Sequence, residues 1–226
     1  MLKDRLDQVR GRIGRAAVRS GRSPGEITLI GVVKSVSVEA IRAAIAVGLA
    51  HLGENRVQEA EEKIAAIGRE SARWHMVGHL QRNKASRALA LFDRIHGLDD
   101  LELAAALSAR AMAVGRVIPV LVQVNVSGEP TKHGVAPEGL ERVLMQAARM
   151  PGLEVDGLMS IGAPVERPEQ SRPAFVRTRE LRDRAERRLG MRLPQLSMGM
   201  SADFDVAVEE GSTLVRVGTA LFGPRA

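Results

Sequence analysis

Residues 196–223 read LSMGMSADFDVAVEEGSTLVRVGTALFG. The stretch holds two short apolar segments, each followed by a turn of small residues and then by a helical pattern. The first turn is Gly199–Ser201 and the second is Gly218–Thr219. This order of strand, turn and helix is typical of a parallel β/α fold. In closed barrels of this class, the loops after the seventh and eighth strands frequently bind phosphate.

The same alternation extends through the rest of the chain. Strands are predicted at Ile27–Lys34, Ala50–Gly53, Arg73–Gly78, Asp93–Gly97, Ile118–Asn125, Glu154–Ile161, Gln195–Gly199 and Leu214–Gly218. Helices are predicted at 38–48, 56–67, 81–90, 100–114, 138–149, 169–189 and 203–210. An open doubly wound sheet needs fewer strands or a visible switch point. Eight such units in 226 residues therefore predict an α/β fold, a single (β/α)8 barrel over residues 1–226.

The N-terminal residues predict a helix docked on this barrel. The apolar positions with helical spacing are Leu2, Leu6, Val9, Ile13 and Val18. Residues 1–22 have no apolar core and include two aspartates, so neither a signal peptide nor a transit peptide is expected. No apolar run approaches the length of a membrane span. We therefore expect a cytoplasmic protein with no membrane partner.

Composition narrows the function classes. The 33 basic and 27 acidic residues are interspersed, aromatic residues make up 2% of the chain, and tyrosine is absent. Nucleic-acid binding is disfavoured, because it needs a patch of one charge sign and aromatic stacking partners. The absence of cysteine excludes disulfides and thiolate chemistry. The net charge of +6 remains compatible with an anionic ligand.

Local signals predict helix starts and one surface loop. Ser37 precedes an apolar helical run, and Asp99 precedes the predicted helix 100–114, so both are expected to cap helices. The segment 162–173 is rich in proline and polar residues and follows the sixth predicted strand. We expect it to form a loop at the carboxyl end of the barrel, where active sites of such barrels lie.

Lys34 ends the apolar run ITLIGVVK at 27–34. Period-two alternation places Thr28, Ile30, Val32 and Lys34 on one face of this strand. If that face points inward, Lys34 projects into the mouth of the barrel and offers an amine to an aldehyde. Otherwise, Lys34 is a lysine that extends from a strand end into solvent.

Three further features point to an anionic ligand. Ser201 offers a hydroxyl and a potential helix cap at the start of the predicted helix 203–210. Gly218 and Thr219 form the corresponding turn after the last strand. Arg216 lies within a short buried strand, where a guanidinium needs a partner. That partner is either a ligand or a carboxylate on a neighbouring strand.

Other polar groups follow the second, third and fifth strands. Asn55, His79 and Asn125 lie at or beyond these strand ends. Glu54, His75 and His79 lack the spacing of a known metal motif, so no metal site is expected. Met159 is expected to pack rather than to react.

Six segments, taken together, resemble the YggS/PROSC family of pyridoxal phosphate homeostasis proteins. They are VVKSVSVEAIRAAIAVG, HLGENRVQE, WHMVGHLQRNK, QVNVSGEPTKHG, GLMSI and SMGMSADFDVAVEEGSTLVRVGTALFG. The match covers nearly the whole chain, and the last segment is the most specific of the six. The resemblance implies a barrel like the N-terminal domain of alanine racemase, without that enzyme's extra β-domain. It also implies a monomer.

The resemblance implies pyridoxal 5′-phosphate (PLP) as the cofactor. Lys34 corresponds to the family's Schiff-base lysine. Ser201, Gly218 and Thr219 correspond to its phosphate cradle. Arg216 corresponds to the residue facing the pyridine nitrogen, and Asn55 to a residue of the pocket. Two departures from the family pattern are Val33, where a small hydroxyl residue is common, and His51.

The sequence favours a carrier of PLP over an enzyme. Alanine racemase uses a lysine on one face of the cofactor and a tyrosine on the other, and this chain has no tyrosine. A permanently charged Arg216 disfavours protonation of the ring nitrogen and so weakens the cofactor as an electron sink. We expect binding, buffering and delivery of PLP to apo PLP-dependent enzymes. The alternatives are a PLP-dependent amino-acid racemase or lyase, with His79 or water as second base, and a barrel enzyme for another phosphorylated ligand.

Overall fold

Eight parallel strands form a closed barrel in a computed structural model that describes residues 1–129, 132–163 and 165–224. The strands are β1 (Thr28–Val32), β2 (His51–Glu54), β3 (Arg73–Met76), β4 (Arg94–Leu98), β5 (Ile118–Gln123), β6 (Leu153–Met159), β7 (Gln195–Ser197) and β8 (Leu214–Val217). The helices are α1 (Leu2–Arg19), α2 (Val38–Ala46), α3 (Val57–Ile67), α4 (Ala85–Leu91), α5 (Leu101–Ala113), α6 (Leu140–Ala147), α7 (Arg172–Leu189), α8 (Phe204–Glu209) and α9 (Thr219–Phe222). Each strand pairs with the next along the chain, and β8 pairs with β1. The predicted (β/α)8 barrel with an N-terminal helix is confirmed, and every strand among the described residues belongs to it.

Six of the eight predicted strands extend too far at their carboxyl ends, whereas those predicted to end at Gly53 and Gly97 each end one residue later. The strand predicted to reach Lys34 ends at Val32, and the strand predicted to reach Asn125 ends at Gln123. Beyond these points the chain turns away from the ladder, as where the amide of Val36 donates to the carbonyl of Val33. Val33 and Val124 still donate to carbonyl groups of the neighbouring strands, so the predicted residues beyond that contact are Lys34 and Asn125. The predicted loops at 162–173 and around Asn125 include residues 164 and 130–131, which lie outside the described residues.

The barrel interior resolves which face of β1 points inward. A small apolar cluster inside the barrel joins Ile30, Leu121, Met159 and Leu214, which come from four different strands. Val33 belongs instead to the larger core between the strands and the helices. The face shared by Thr28, Ile30 and Val32 therefore points inward. Met159 packs in the interior, as predicted.

The N-terminal helix α1 docks through one apolar stripe. Leu6, Val9 and Ile13 are buried, as predicted, but Val18 is 68% exposed, so that assignment was wrong. Ala16 and Ala17 continue the stripe instead, because they lie three and four residues beyond Ile13, whereas Val18 lies five beyond and faces away. The helix also contacts α8.

Side-chain oxygens cap the first turns of helices α2 and α5. Ser37 caps α2 as predicted, and its hydroxyl accepts from the amide of Ala40 at 3.3 Å. In α5 the cap is Asp100, whose carboxylate accepts from the amide of Leu103 at 2.6 Å. The cap predicted at Asp99 was therefore wrong by one residue, because two aspartates are adjacent and the second one has the geometry of a cap.

Within the described residues, no helix combines the length and apolarity that a membrane span requires.

Gly157 provides a test of strand packing. A Cβ atom at this position would lie 2.7 Å from the carbonyl carbon of Gln195 on β7. Gly157→Ala should therefore force β6 and β7 apart and lower the free energy of unfolding by about 2–3 kcal/mol, the usual cost of overpacking. Urea unfolding measures this change. The control is Gly162→Ala, because, its two chain neighbours apart, no atom of the described residues lies within 4 Å of that Cβ position. Equal stability of the two variants would contradict the packing.

Candidate functional site

One cavity collects the residues singled out in the sequence. It has a volume of about 410 Å³ and lies at the carboxyl ends of β1, β2, β7 and β8. Its lining includes Lys34, Asn55, Ser201, Arg216, Gly218 and Thr219. Apolar side chains complete the wall, namely Val32, Val77, Ile161 and Met200. A mostly apolar cavity with a few convergent polar groups is typical of a small-molecule site.

Lys34 lies two residues beyond the end of β1, where the chain turns sharply. The next residue, Ser35, has φ = 58°, in the left-handed region that non-glycine residues rarely adopt. The turn ends the strand and separates Lys34 from helix α2, which begins at Val38. Lys34 lines the cavity together with Val32. Both continue the alternate positions of β1 whose side chains point into the barrel.

A buried ion pair fixes the backbone beside Lys34 and Asn55. The ammonium of Lys63 lies 2.6 Å from the carboxylate of Glu54 and 2.7 Å from the carbonyl oxygen of Val33. Glu54 is fully buried, and its second oxygen accepts from the amide of Asn55 at 2.7 Å. The pair of Glu54 and Lys63 thus holds the carbonyl group of Val33, next to Lys34, and the backbone amide of Asn55, which lines the cavity just after β2. Lys63 was not among the residues predicted from the sequence.

The Ser201 hydroxyl joins the last two β/α loops. Its oxygen accepts from the amides of Gly218 at 3.1 Å and Ala220 at 3.3 Å. The predicted role of Ser201 as the cap of α8 was wrong, because Asp203 stands at that position. As an acceptor from both amides, the hydroxyl still has its own hydrogen to donate. Ser201, Gly218 and Thr219 therefore form one polar corner of the cavity.

Arg216 is held inside the barrel by neutral oxygens. One guanidinium nitrogen donates to the hydroxyl of Ser197 at 2.6 Å, and another donates to the carbonyl of Ser160 at 2.9 Å. The carboxylate partner considered from the sequence is therefore not its hydrogen-bond partner; Asp203 acts on it only through its charge. Burial lowers the pKa of Arg216 to about 10, so the guanidinium stays charged at neutral pH.

Three histidines extend this contact through the barrel interior. They stand on consecutive strands, His51 on β2, His75 on β3 and His96 on β4. His96 contacts the Ser197 hydroxyl at 2.8 Å, His75 contacts His96 at 3.0 Å, and His51 contacts His75 at 3.0 Å. His51 begins β2, so the chain ends at the amino end of the barrel, opposite the cavity. We call these three residues the histidine chain.

Arg216 favours one direction for the hydrogen bonds of the histidine chain. A guanidinium only donates, so the Ser197 oxygen accepts from it, and the hydroxyl hydrogen is left for the other contact of that oxygen, Nδ1 of His96. His96 then carries its proton on Nε2 and donates to Nδ1 of His75. His75 in turn donates from Nε2 to Nδ1 of His51. All three rings are thereby neutral Nε2–H tautomers.

The electrostatics of the chain agree with this assignment. Burial lowers the pKa of His75 to about 3. Burial, together with the charge of Arg216, lowers the pKa of His96 well below its usual range. The pKa of His51 is lowered less, mainly by burial. The sequence analysis missed this chain, although histidines at inward positions of three consecutive strands were a usable signal.

The residues considered for a metal site in the sequence do not meet. Glu54 pairs with Lys63 outside the barrel wall, and His75 lies within it. His79 lines a separate cleft of about 700 Å³, between the loops after β2 and β3, which shares only Asn55 with the smaller cavity. The smaller cavity is the candidate site, because it holds both Lys34 and Arg216. Asn125 is occupied within its own loop, where its amide group donates to the carbonyl of Glu129 at 2.9 Å.

Comparisons with known proteins show the family to which the chain belongs. Residues 6–226 match the family described as alanine racemase, N-terminal domain. The pyridoxal phosphate homeostasis protein of Aquifex aeolicus is 45% identical over 98% of this chain and 97% of its own length. The structure of PipY from Synechococcus elongatus PCC7942 with PLP bound is 36% identical, with a TM-score of 0.87, and the match covers 99% of this chain and 100% of PipY.

The class is therefore established: the chain is a barrel of the alanine racemase N-terminal domain family. Within that class, it belongs to the pyridoxal phosphate homeostasis proteins. The alanine racemase of Clostridium difficile has the same fold at 16% identity, with a TM-score of 0.79, and the match covers 99% of this chain but 59% of the racemase. The chain thus corresponds to the barrel part of that longer enzyme.

The buried histidines predict a dependence of stability on pH. Unfolded histidine takes up a proton below pH 6.5, whereas folded His75, with its pKa lowered to about 3, stays neutral. The free energy of unfolding therefore falls as the pH drops below 6.5, and His75 alone accounts for a loss of about 3 kcal/mol by about pH 4. Asp156 acts in the opposite direction, because burial raises its pKa to about 6.

The comparison of variants separates the two effects. Urea unfolding at about pH 7 and about pH 4 should show that His75→Gln loses about 3 kcal/mol less than the wild type over this range. Asp156→Asn should lose more than the wild type, because its opposing contribution is gone. If His75→Gln lost as much unfolding free energy between these pH values as the wild type, the histidine chain would not be neutral in the folded protein.

Proposed function

We propose that this chain binds PLP through a Schiff base on Lys34 and acts in PLP homeostasis as a carrier rather than as a catalyst. One observation carries the proposal: a single cavity joins an amine, a polar corner suited to phosphate and a buried guanidinium, contributed by Lys34, Ser201 and Arg216. The names of the relatives and the PLP bound in PipY support it. The whole chain, 1–226, acts as one PLP-binding domain in this proposal.

The phosphate would lie at the corner formed by Ser201, Gly218 and Thr219. Ser201 keeps a hydroxyl hydrogen to donate, and Thr219 adds a second hydroxyl. Both loops follow the last two strands of the barrel, the usual place for phosphate in this fold. The link between Ser201 and the amides of Gly218 and Ala220 keeps this corner preformed.

Arg216 would face the ring nitrogen and Asn55 would contact the ring. The amine of Lys34 would hold PLP by condensing with its aldehyde, with water as the second product. Exchange with another amine would free Lys34 again, which would be the route for delivery. PLP, when bound, supplies an electrophilic imine and a ring that can accept electrons.

The same geometry disfavours strong catalysis. The guanidinium of Arg216 remains charged and only donates, so it keeps the ring nitrogen unprotonated and the electron sink weak. His79, the candidate second base, lines the neighbouring cleft and not the cavity of Lys34. We propose a cytoplasmic monomer that passes PLP to apo PLP-dependent enzymes.

The lysine is tested by two matched variants. Purified Lys34→Ala should show no PLP absorption that borohydride fixes to the protein. Lys84→Ala removes a lysine from the neighbouring cleft and should retain that adduct at the wild-type level. A covalent, reducible adduct in Lys34→Ala would overturn the assignment of the lysine.

The phosphate corner is tested by comparing two ligands. Ser201→Ala should weaken PLP binding by about tenfold, because the lost hydrogen bond to a charged group contributes about 1.5 kcal/mol. Binding of pyridoxal, which lacks the phosphate, should change little. Titrations followed by absorbance measure both affinities. Equal losses for the two ligands would place the phosphate elsewhere.

The carrier role is tested with a panel of amino acids. The PLP-loaded protein should racemise or cleave each of them at well below about 1 s⁻¹, the lower end of typical enzyme turnover. Chiral chromatography of the products measures the rates. Turnover above that value for any member of the panel would favour the racemase or lyase alternative.

A further inference from the structure

A second polar cluster stands at the carboxyl end of the barrel, on the loops after β3, β4 and β5. His79 follows β3, Asp99 follows β4 directly, and His133 lies in the loop after β5. Nδ1 of His79 lies 2.9 Å from Oδ2 of Asp99, and Nδ1 of His133 lies 3.8 Å from the same oxygen. One donor atom from each residue falls within 4.8 Å of the others.

The contacts with the two histidines leave one oxygen of the Asp99 carboxylate without a hydrogen-bond partner among the described residues. This oxygen is Oδ1, and the side chain of Asp99 is only 8% exposed. Asp99 does not cap α5, since Asp100 does. A buried carboxylate with one unpaired oxygen is costly, and a cation held at Oδ2, or shared with Oδ1, would lower that cost by neutralising the charge.

The two imidazoles lie on one side of that carboxylate, but their nearly parallel planes keep the in-plane lone pairs from meeting at one ion, so binding requires one ring to rotate about its side-chain torsions. Their rings stack with centroids 3.9 Å apart and planes 9° apart. Both Nδ1 atoms face Oδ2 of Asp99. The His79 side chain is 37% exposed and that of His133 is 58% exposed, so an ion can reach the cluster from solvent.

We propose that His79, Asp99 and His133 form a binding site for a divalent transition-metal ion of the zinc class. Two imidazole nitrogens and one carboxylate oxygen suit zinc and its neighbours, whereas magnesium and calcium prefer oxygen ligands alone. A tetrahedral ion about 2.1 Å from each donor requires donors roughly 3.4 Å apart. The separations of 2.9 and 3.8 Å bracket that value.

Such an ion would connect three consecutive loops at the rim of the barrel. Three protein ligands leave a coordination position for water or for an anionic group of another molecule. Because His79 also lines the 700 Å³ cleft, the ion would stand at the edge of that cleft. The site is separate from Lys34 and does not depend on the binding of PLP.

The test is calorimetric titration of Zn²⁺ into the untagged, chelator-treated full chain. We expect one equivalent to bind. The variants His79→Ala and Asp99→Asn should weaken binding by at least about tenfold, a loss that even substitutions outside the ligand set produce. His51→Ala removes a histidine from the opposite end of the barrel and should bind Zn²⁺ as the wild type does.

A second measurement keeps the test independent of folding. The double variant His79→Ala/His133→Ala changes two exposed side chains, and circular dichroism checks that it is folded. Zn²⁺ should raise the unfolding temperature of the wild type but not of this variant. No stoichiometric binding by the wild type, or unchanged binding by the double variant, would overturn the site. Reducible PLP on Lys34 is measured on the same samples, so failure of the metal site and failure of the PLP proposal are distinguishable.

Discussion

The guanidinium of Arg216 lies inside a closed barrel, 4% exposed, and the barrel interior is arranged around that charge. Two neutral oxygens, on Ser197 and Ser160, accept its hydrogen bonds. Because a guanidinium cannot accept, the favoured arrangement has Ser197 donating to His96, His96 donating to His75 and His75 donating to His51. A proton added to this chain would meet the charge of Arg216, which is one reason why the buried rings stay neutral.

The histidine chain and the candidate site reach opposite ends of the barrel. The amino end carries the last member of the histidine chain, and the carboxyl end carries the cavity with Lys34 and Ser201. The cavity has its own supports outside the barrel interior. The pair of Glu54 and Lys63 holds the backbone beside Lys34, and Ser201 links the last two loops. A ligand in the cavity would therefore meet groups that are already in position, which lowers the cost of binding.

The architecture followed from hydrophobic alternation, because each strand and helix has a strong local pattern. The candidate cavity followed from the resemblance to a known family, which brought Lys34 and Arg216 into one hypothesis. What the sequence did not predict is one local choice between neighbours and two contacts between distant segments. Asp100 rather than Asp99 caps α5, Ser201 accepts from another loop instead of capping α8, and three histidines meet across separate strands. Local patterns do not specify which of two adjacent aspartates turns towards a helix.

A crystal structure of the PLP-loaded protein tests the central claim most directly. The account predicts continuous density from Nζ of Lys34 to the ligand, with the phosphate at Ser201, Gly218 and Thr219 and the ring nitrogen facing Arg216. PLP joined to a different lysine, or a phosphate placed away from the last two β/α loops, would contradict it.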